Sequence, residues 1–536
     1  MQSLKSFFRK GFCDISEVIL MPCLSLSYGK KSFLLILLGV LAYVPFMNPF
    51  NANHDEMYSM LLFSYPWKDM IRVIASEDGH PPLYYIVYRL FQMGDDIHNV
   101  FALRVATQTF FVLTALLGVF PLRRLIGETA SLFFIICVFF LPSSVWLATN
   151  IRMYPMAFFV VTGCFVYGEL VAQNKRKSNL ILFSLFSLCC CYTHYFCAIA
   201  AVLIWGILFF RLLMKKQFKK MALLTGIGCI ITLLFVPWIV FSFLEQFQNM
   251  KTLWFPNQHD IDTAVEGAFF RFTLTGAPFC DILFLFFGIF CWILIWYYLL
   301  DCQKDPCRNV VKKAAFVFWG VFLIALVLSL TVRPTLYARL MAVCMGLLSI
   351  GVAVALIPYK NFQKIFASLL VISFVPGYMA FYSFVNDPDI KAFVKLFREK
   401  IPVTSLIFCT DSNAQIFLKG FLPEYHVVYS PVLPYLILLQ DRVLKERAEL
   451  SDLSDYSELF VFQRSYSVSG GSRYWNDALS EGEPVLKFSE NYAGVGYSLG
   501  RISLESASSL LKKSEKVLKK SLPHKIDQLS KKNTIN

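Results

Sequence analysis

The feature that most restricts this chain is a series of about eleven apolar stretches of near-bilayer length. They run over 33–50, 100–120, 129–148, 154–172, 179–193, 196–213, 221–243, 280–300, 314–332, 340–358 and 362–385. A bilayer span needs about 20 mostly apolar residues, because the hydrocarbon core is roughly 30 Å thick. The fifth stretch is short and the sixth follows at once, which predicts a tight hairpin. Of the 536 residues, 57% are hydrophobic and 16% charged, against roughly 25% charged in an ordinary soluble domain. Most of the chain is therefore excluded from a water-soluble globule. Disorder is excluded too, because it requires low hydrophobicity.

The net charge of +14, from 50 basic and 36 acidic residues, raises the question of nucleic acid. The basic residues instead fall in alternate short loops, the pattern of cytoplasmic segments in a membrane protein. With the N-terminus inside, the inner segments carry Lys30 and Lys31, Arg123 and Arg124, Lys175 to Lys177, Lys215 to Lys220, Lys304 to Lys313, and Lys360 and Lys364. This places loops 51–99 and 244–279, and everything after 385, outside. Lys30 and Lys31 precede the first span with no small-residue cleavage site, so that span is expected to be an anchor and not a cleaved signal.

The domain reading has four parts: a cytoplasmic segment 1–32, a transmembrane domain 33–385, an external α/β domain 386–505 and a basic tail 506–536. After 385 the long apolar runs stop. Short ones at 403–408, 426–429 and 458–462 alternate with polar stretches, which suggests strands between helices. The tail carries Lys512, Lys513, Lys516, Lys519 and Lys520. It reads as a solvated arm, with contact to anionic lipid headgroups or phosphorylated glycolipid as the alternative. The 15 cysteines lie mostly in spans or on the inner side, so no disulfide framework is expected. Cys302 and Cys307 lack the surroundings of a zinc site.

The span centres hold almost no ionisable residues. A coupled transporter needs such groups at mid-depth, so the chemistry is expected at the outer ends of the spans. Loop 51–99 is the richest segment, with Asn53-His54-Asp55-Glu56 directly after the first span and His80-Pro81-Pro82-Leu83-Tyr84-Tyr85 about 25 residues later. A carboxylate half screened by membrane and aromatic neighbours can act as a general base, or orient a metal or sugar. Asp55 and Glu56 are adjacent, so they need not point at one site. Pro81 and Pro82 suit a helix start, and 83–93 has the aromatic content of an interfacial helix.

Taken together, these motifs resemble the GT-C glycosyltransferases of the protein-mannosyltransferase and lipid A aminoarabinose transferase type. Arg152-Met153-Tyr154-Pro155 is similar to the Arg-x-Tyr segment opening that family's fourth span. Thr193-His194-Tyr195-Phe196 resembles the polar turn between its fifth and sixth spans. Pro237-Trp238 and Trp254-Phe255-Pro256 resemble its long external loop. Pro334 to Leu340 resembles its Pro…Arg-Tyr-Leu segment, with Leu340 where the family usually has Tyr. No second external acid follows Arg152 closely.

The resemblance implies an α-helical polytopic membrane protein of GT-C type with a small external α/β domain. It implies transfer of a sugar from a polyprenyl-phosphate carrier to an acceptor hydroxyl or phosphate on a glycolipid, glycan or protein, with inversion. On that basis Asp55 is the expected base and Glu56 its neighbour in the catalytic pair. Arg339, Arg152, His80, His194 and Arg333 are expected around the donor phosphate, because arginine's planar fork suits phosphate. Tyr84, Tyr85, Tyr154, Tyr337 and Trp254 are expected to bind substrate. No cofactor is assigned from these residues, and a divalent metal stays open. The expected partners are the lipid-linked donor, the acceptor and membrane lipids, with no nucleic acid. The expected location is the bacterial inner membrane. A lipid-linked-sugar flippase and a polysaccharide polymerase are the alternatives.

Overall fold

The computed structural model describes residues 26–47, 54–63, 65–78, 80–92, 100–173, 176–248, 278–331, 336, 338–386, 388–409, 412–430, 450, 452–466, 483–490 and 495–521. In lipid every backbone polar group must be satisfied within its own segment, so apolar stretches of this length become helices. Helix α1 is Tyr28–Tyr43 and leads into two short helices, α2 (His54–Phe63) and α3 (Trp67–Glu77). A third short helix, α4 (Leu83–Phe91), starts directly after Pro82, where proline suits a first helical turn. The bundle continues with α5 (Val100–Leu117), α6 (Glu128–Phe140), α7 (Ser144–Thr149), α8 (Tyr154–Gln173), α9 (Lys177–Thr193), α10 (Tyr195–Met214) and α11 (Phe218–Gln248). It closes with α12 (Pro278–Asp301), α13 (Arg308–Thr331), α14 (Met345–Ala355) and α15 (Lys360–Val385).

Among the described residues nine helices are long and apolar enough to cross a membrane, and Glu128–Phe140 and Lys177–Thr193 are two shorter apolar helices. Each of the eleven apolar stretches thus coincides with a helix. The protein is an α-helical polytopic membrane protein. Two stretches differ in detail. The third breaks at Leu141 and resumes as α7, and the tenth opens as a 3-10 turn over Ala338–Cys344 before α14. Helices α8 and α14 form the centre of the bundle, whereas α11 and α15 stand at its edge with most of their surface uncovered. The central pair crosses closely at Gly346, where any Cβ would collide with Thr162 and Phe158 of α8. Small residues at such crossings let helix backbones approach where lipid gives no hydrophobic drive.

At the end of α8 remote from Tyr154, the buried Glu169 carboxylate accepts from Lys313 Nζ of α13 at 2.7 and 2.9 Å, and Arg211 of α10 lies 3.7 Å away. Three helices are tied there by one satisfied buried acid.

The C-terminal region begins with α16 (Pro388–Lys400) and continues as β1 (Leu406–Cys409), α17 (Ser412–Phe421), β2 (His426–Tyr429), β3 (Leu459–Tyr466), β4 (Glu483–Glu490), β5 (Val495–Arg501) and α18 (Leu504–Ser521). The strands form one mixed sheet in the order β2-β1-β3-β5-β4. Strand β1 runs parallel to both neighbours, with Ile407 opposite Val427 and Phe460, while β3, β5 and β4 are antiparallel. Successive strand residues face opposite sides. Leu406, Phe408, Val428, Leu459 and Val461 pack with Ala507 and Leu510 of α18. Ile407, Cys409, Val427, Phe460 and Phe462 pack with Ile416 and Phe417 of α17, in a core continuous with that of the bundle.

Candidate active site

Helix α2 follows the first span and carries the acid pair in its first turn, where a helix N-terminus favours negative charge. Adjacent residues on a helix diverge by about 100°, and the two acids part accordingly. Asp55 is about a third exposed and its Oδ2 accepts from Arg339 Nη1 at 2.7 Å, although 284 residues separate them. Glu56 is 1% exposed. Its Oε1 accepts from Arg104 Nη2 at 3.1 Å and from the Ile151 backbone N–H at 2.9 Å. Glu56 therefore clamps α2 to α5 and to the turn ahead of α8, inside the core.

That turn delivers Arg152. Its Nη1 donates to Ser59 Oγ at 2.9 Å and reaches the Asp55 carbonyl oxygen at 3.5 Å, so it grips the helix that carries the acid. Ser59 Oγ also donates to the Asp55 carbonyl oxygen, at 3.0 Å. Burial works against the Arg152 charge, and Tyr85, Asp55, Asp78 and Tyr84 outweigh it, so the guanidinium stays firmly cationic.

The segment between α3 and α4 adds a second constellation. Asp78, 5% exposed, pairs with His80 Nδ1 at 2.5 Å and accepts the Tyr85 hydroxyl hydrogen. Burial pushes the Asp78 carboxyl up, but His80, Arg152 and Tyr85 reverse this and leave it below the ordinary carboxylate range. The His80 ring stands 5.1 Å from that of His194, and Tyr154 lies 6.4 Å beyond. His194 sits between α9 and α10, where its Nδ1 accepts from the Phe196 backbone N–H at 3.0 Å. Burial first, then the charges of His80, Arg152 and Arg339, hold its pKa well below the usual histidine range. The ring is therefore neutral, and an acceptor Nδ1 places the single proton on Nε2.

Among the described residues His194 Nε2 and Arg152 Nε are buried without a hydrogen-bond partner. Donors such as Arg104 Nε and Trp319 Nε1 are also orphaned elsewhere in the core, but these two are grouped with Arg339 and His80, where together they can take an acceptor such as an anion. The cluster can hold an anion, keep a carboxylate at its margin and exclude bulk water on the protein side.

Of the residues expected from sequence, Asp55, Glu56, Arg339, Arg152, His80, His194, Tyr84, Tyr85 and Tyr154 meet at this one end of the bundle. Tyr84 and Tyr85 are fully buried, and their hydroxyls donate to the Ile151 carbonyl and to Asp78. Both sit on α4 and brace the cluster through these bonds. Arg333, Tyr337 and Trp254 lie outside the described residues. Asp78, Ser59 and Arg104 were not assigned from sequence as site residues. The Asp78-Gly79-His80 spacing was the available sign for the first. Among the described residues no group of three or more His, Cys, Asp or Glu side chains is placed to hold a metal ion. Asp78 is already engaged by His80 and Tyr85, and Asp55 by Arg339.

No family model matches the sequence, and no curated protein matches it. Solved structures do match. The apo crystal structure of ArnT from Cupriavidus metallidurans matches over 90% of this chain and 99% of its own, at 10% identity and a TM-score of 0.57. The same protein bound to undecaprenyl phosphate matches over 88% of this chain and 98% of its own, at 10% identity and a TM-score of 0.58. At that identity the likeness is one of fold, and the fold is GT-C.

Proposed function

We propose that the protein is a membrane glycosyltransferase that passes a sugar from a polyprenyl-phosphate carrier to an acceptor hydroxyl. The observation that carries this reading is the Asp55–Arg339 pair beside the orphaned donors of Arg152 and His194. The cluster offers a base and an anion cradle together at the end of an apolar bundle, where a lipid-borne headgroup arrives. A shared fold with a protein crystallised with undecaprenyl phosphate supports the same choice of donor.

The chemistry is a single displacement. The acceptor oxygen attacks the anomeric carbon and its proton passes to Asp55. The carrier phosphate leaves as an anion, so it needs positive charge more than it needs a proton. Arg339, Arg152 and His194 Nε2–H supply charge and hydrogen bonds, and His80 stands beside them. Attack opposite the leaving phosphate inverts the anomeric centre. At rest Arg339 occupies the Asp55 carboxylate. A donor phosphate that draws Arg339 to itself releases the base, so donor binding prepares the acceptor step.

The alternating Lys and Arg clusters support a cytoplasmic N-terminus and an outward Asp55 end, and the proposed setting is a bacterial inner membrane. Purified protein in liposomes, given a labelled undecaprenyl-phosphate sugar and mixed envelope glycolipid, tests the reading. Label should move to an acceptor with wild type and not with Asp55→Asn. Equal transfer, or none with either protein across such donors, would sink it.

A further inference from the structure

Helix α2 is short, yet it carries the acid on which the proposed transfer depends. One of its partners is not in the bundle at all. Helix α17 of the C-terminal region lies against it, and the contact closes at Gly420. A Cβ added there would stand 2.8 Å from Met57 Sδ, 3.2 Å from Met57 Cγ and 3.8 Å from Met57 Cβ. Met57 is buried at 7% exposure, two residues beyond Asp55. Helix α17 is itself held from behind, because Phe417 stacks on Phe462 of β3 at 6.1 Å and packs near Phe393 of α16 at 5.9 Å. The sheet, α17 and α2 thus form one packed line that ends two residues from the Asp55–Arg339 contact of 2.7 Å.

We infer that the C-terminal domain is a fixed strut for the catalytic helix, with Gly420 and Met57 as positioning residues for Asp55. Neither residue touches substrate. Gly420 lets α17 approach, and Met57 transmits the position of α17 to the first turn of α2. Misplacing a reacting group by about 1 Å can cost on the order of a hundredfold in rate. A small shift of α2 is therefore enough to separate Asp55 from its acceptor. The kinetic part of this inference rests on the glycosyltransferase reading, whereas the contact itself does not.

The test uses the full-length protein in liposomes. Gly420→Leu should lower kcat roughly tenfold or more while KM for the lipid-phosphate donor stays within about twofold. Met57→Ala in the same chain should restore most of the rate by making room for the leucine. A Met57→Cys/Gly420→Cys pair supplies a variant that does not crowd the contact. The 3.8 Å Cβ separation is near the roughly 3.8 Å mean of disulfides. Copper phenanthroline, as oxidant, should join the two thiols by removing two electrons and two protons, and the joined protein should keep transferring sugar. Failure to crosslink, loss of rate on crosslinking, or an unchanged kcat in Gly420→Leu would each overturn the strut. A thermal double-mutant cycle gives a readout without turnover. The penalty of Asp55→Asn should shrink in the Gly420→Leu background, because α2 has already left Arg339, and an undiminished penalty counts against the strut. If wild type moves no sugar, the transferase reading falls, and the crosslink and the cycle still decide the strut.

Discussion

At the scale of single residues, the two adjacent acids differ in kind. Asp55 faces an arginine at a half-open margin, so Asp55→Asn should leave the fold intact and lower transfer by about 10²–10⁴-fold, the range of a lost general base, measured as kcat at saturating donor. Glu56 is sealed in with Arg104. Arg104→Met would strand a buried carboxylate, and breaking such a pair costs about 3–5 kcal/mol. A fall in thermal midpoint well beyond that of Asp55→Asn is the expected reading. His194 gives a pH signature. Its folded pKa is depressed, so the unfolded chain takes up a proton below about pH 6.5 that the folded chain refuses. The stability it contributes is complete above that value and is lost as pH falls towards the folded pKa. The thermal midpoint should drop between about pH 7 and pH 5 in wild type and drop less in His194→Asn; equal drops would remove His194 from the account. Asp55, Arg339, Arg152, His80 and His194 were legible because each sits in a segment that resembles a GT-C glycosyltransferase motif. The sequence concealed Asp78, since a loop aspartate looks solvated until its burial is seen.

At the scale of elements, the helices were legible because bilayer length and apolar content leave few alternatives. Their breaks were not. Nothing apolar distinguishes 129–140 from 144–149, and only the turn at Leu141 to Ser143 separates α6 from α7. Strands β1, β2 and β3 follow the short apolar runs, whereas β4 and β5, with Lys487, Ser489 and Gly496 among their residues, follow no such run. Strand β5 owes its place to pairing with β3, and β4 to a hairpin with β5, and periodicity reports neither contact. The packing of α8 on α14 yields a sharp expectation. Gly346→Val should drive the helices apart at Thr162, with an overpacking cost of about 1–3 kcal/mol. A lower thermal midpoint in detergent is the measurement, and an unchanged midpoint would show that the crossing accommodates a side chain.

At the scale of the whole molecule, one apolar core runs from the bundle through α17 to one face of the sheet. Separate domains commonly melt separately. Here the C-terminal region and the bundle should unfold in a single calorimetric transition, and two resolved peaks would contradict the shared core. Orientation can be read at the same scale. A phosphatase fused after Asn536 should be active, and a fluorescent protein there dark, if the Asp55 end faces outward. The shared core and the Asp55–Arg339 contact also bear on how the protein is made. The acid enters the membrane early in synthesis, but Arg339 follows 284 residues later, roughly 15–60 s at about 5–20 residues/s. The strut helix comes later still. A partly made chain therefore carries the acid without its arginine or its support. Ribosome-bound and truncated products would be inert towards the carrier lipids around them, and activity would begin only with a nearly finished chain.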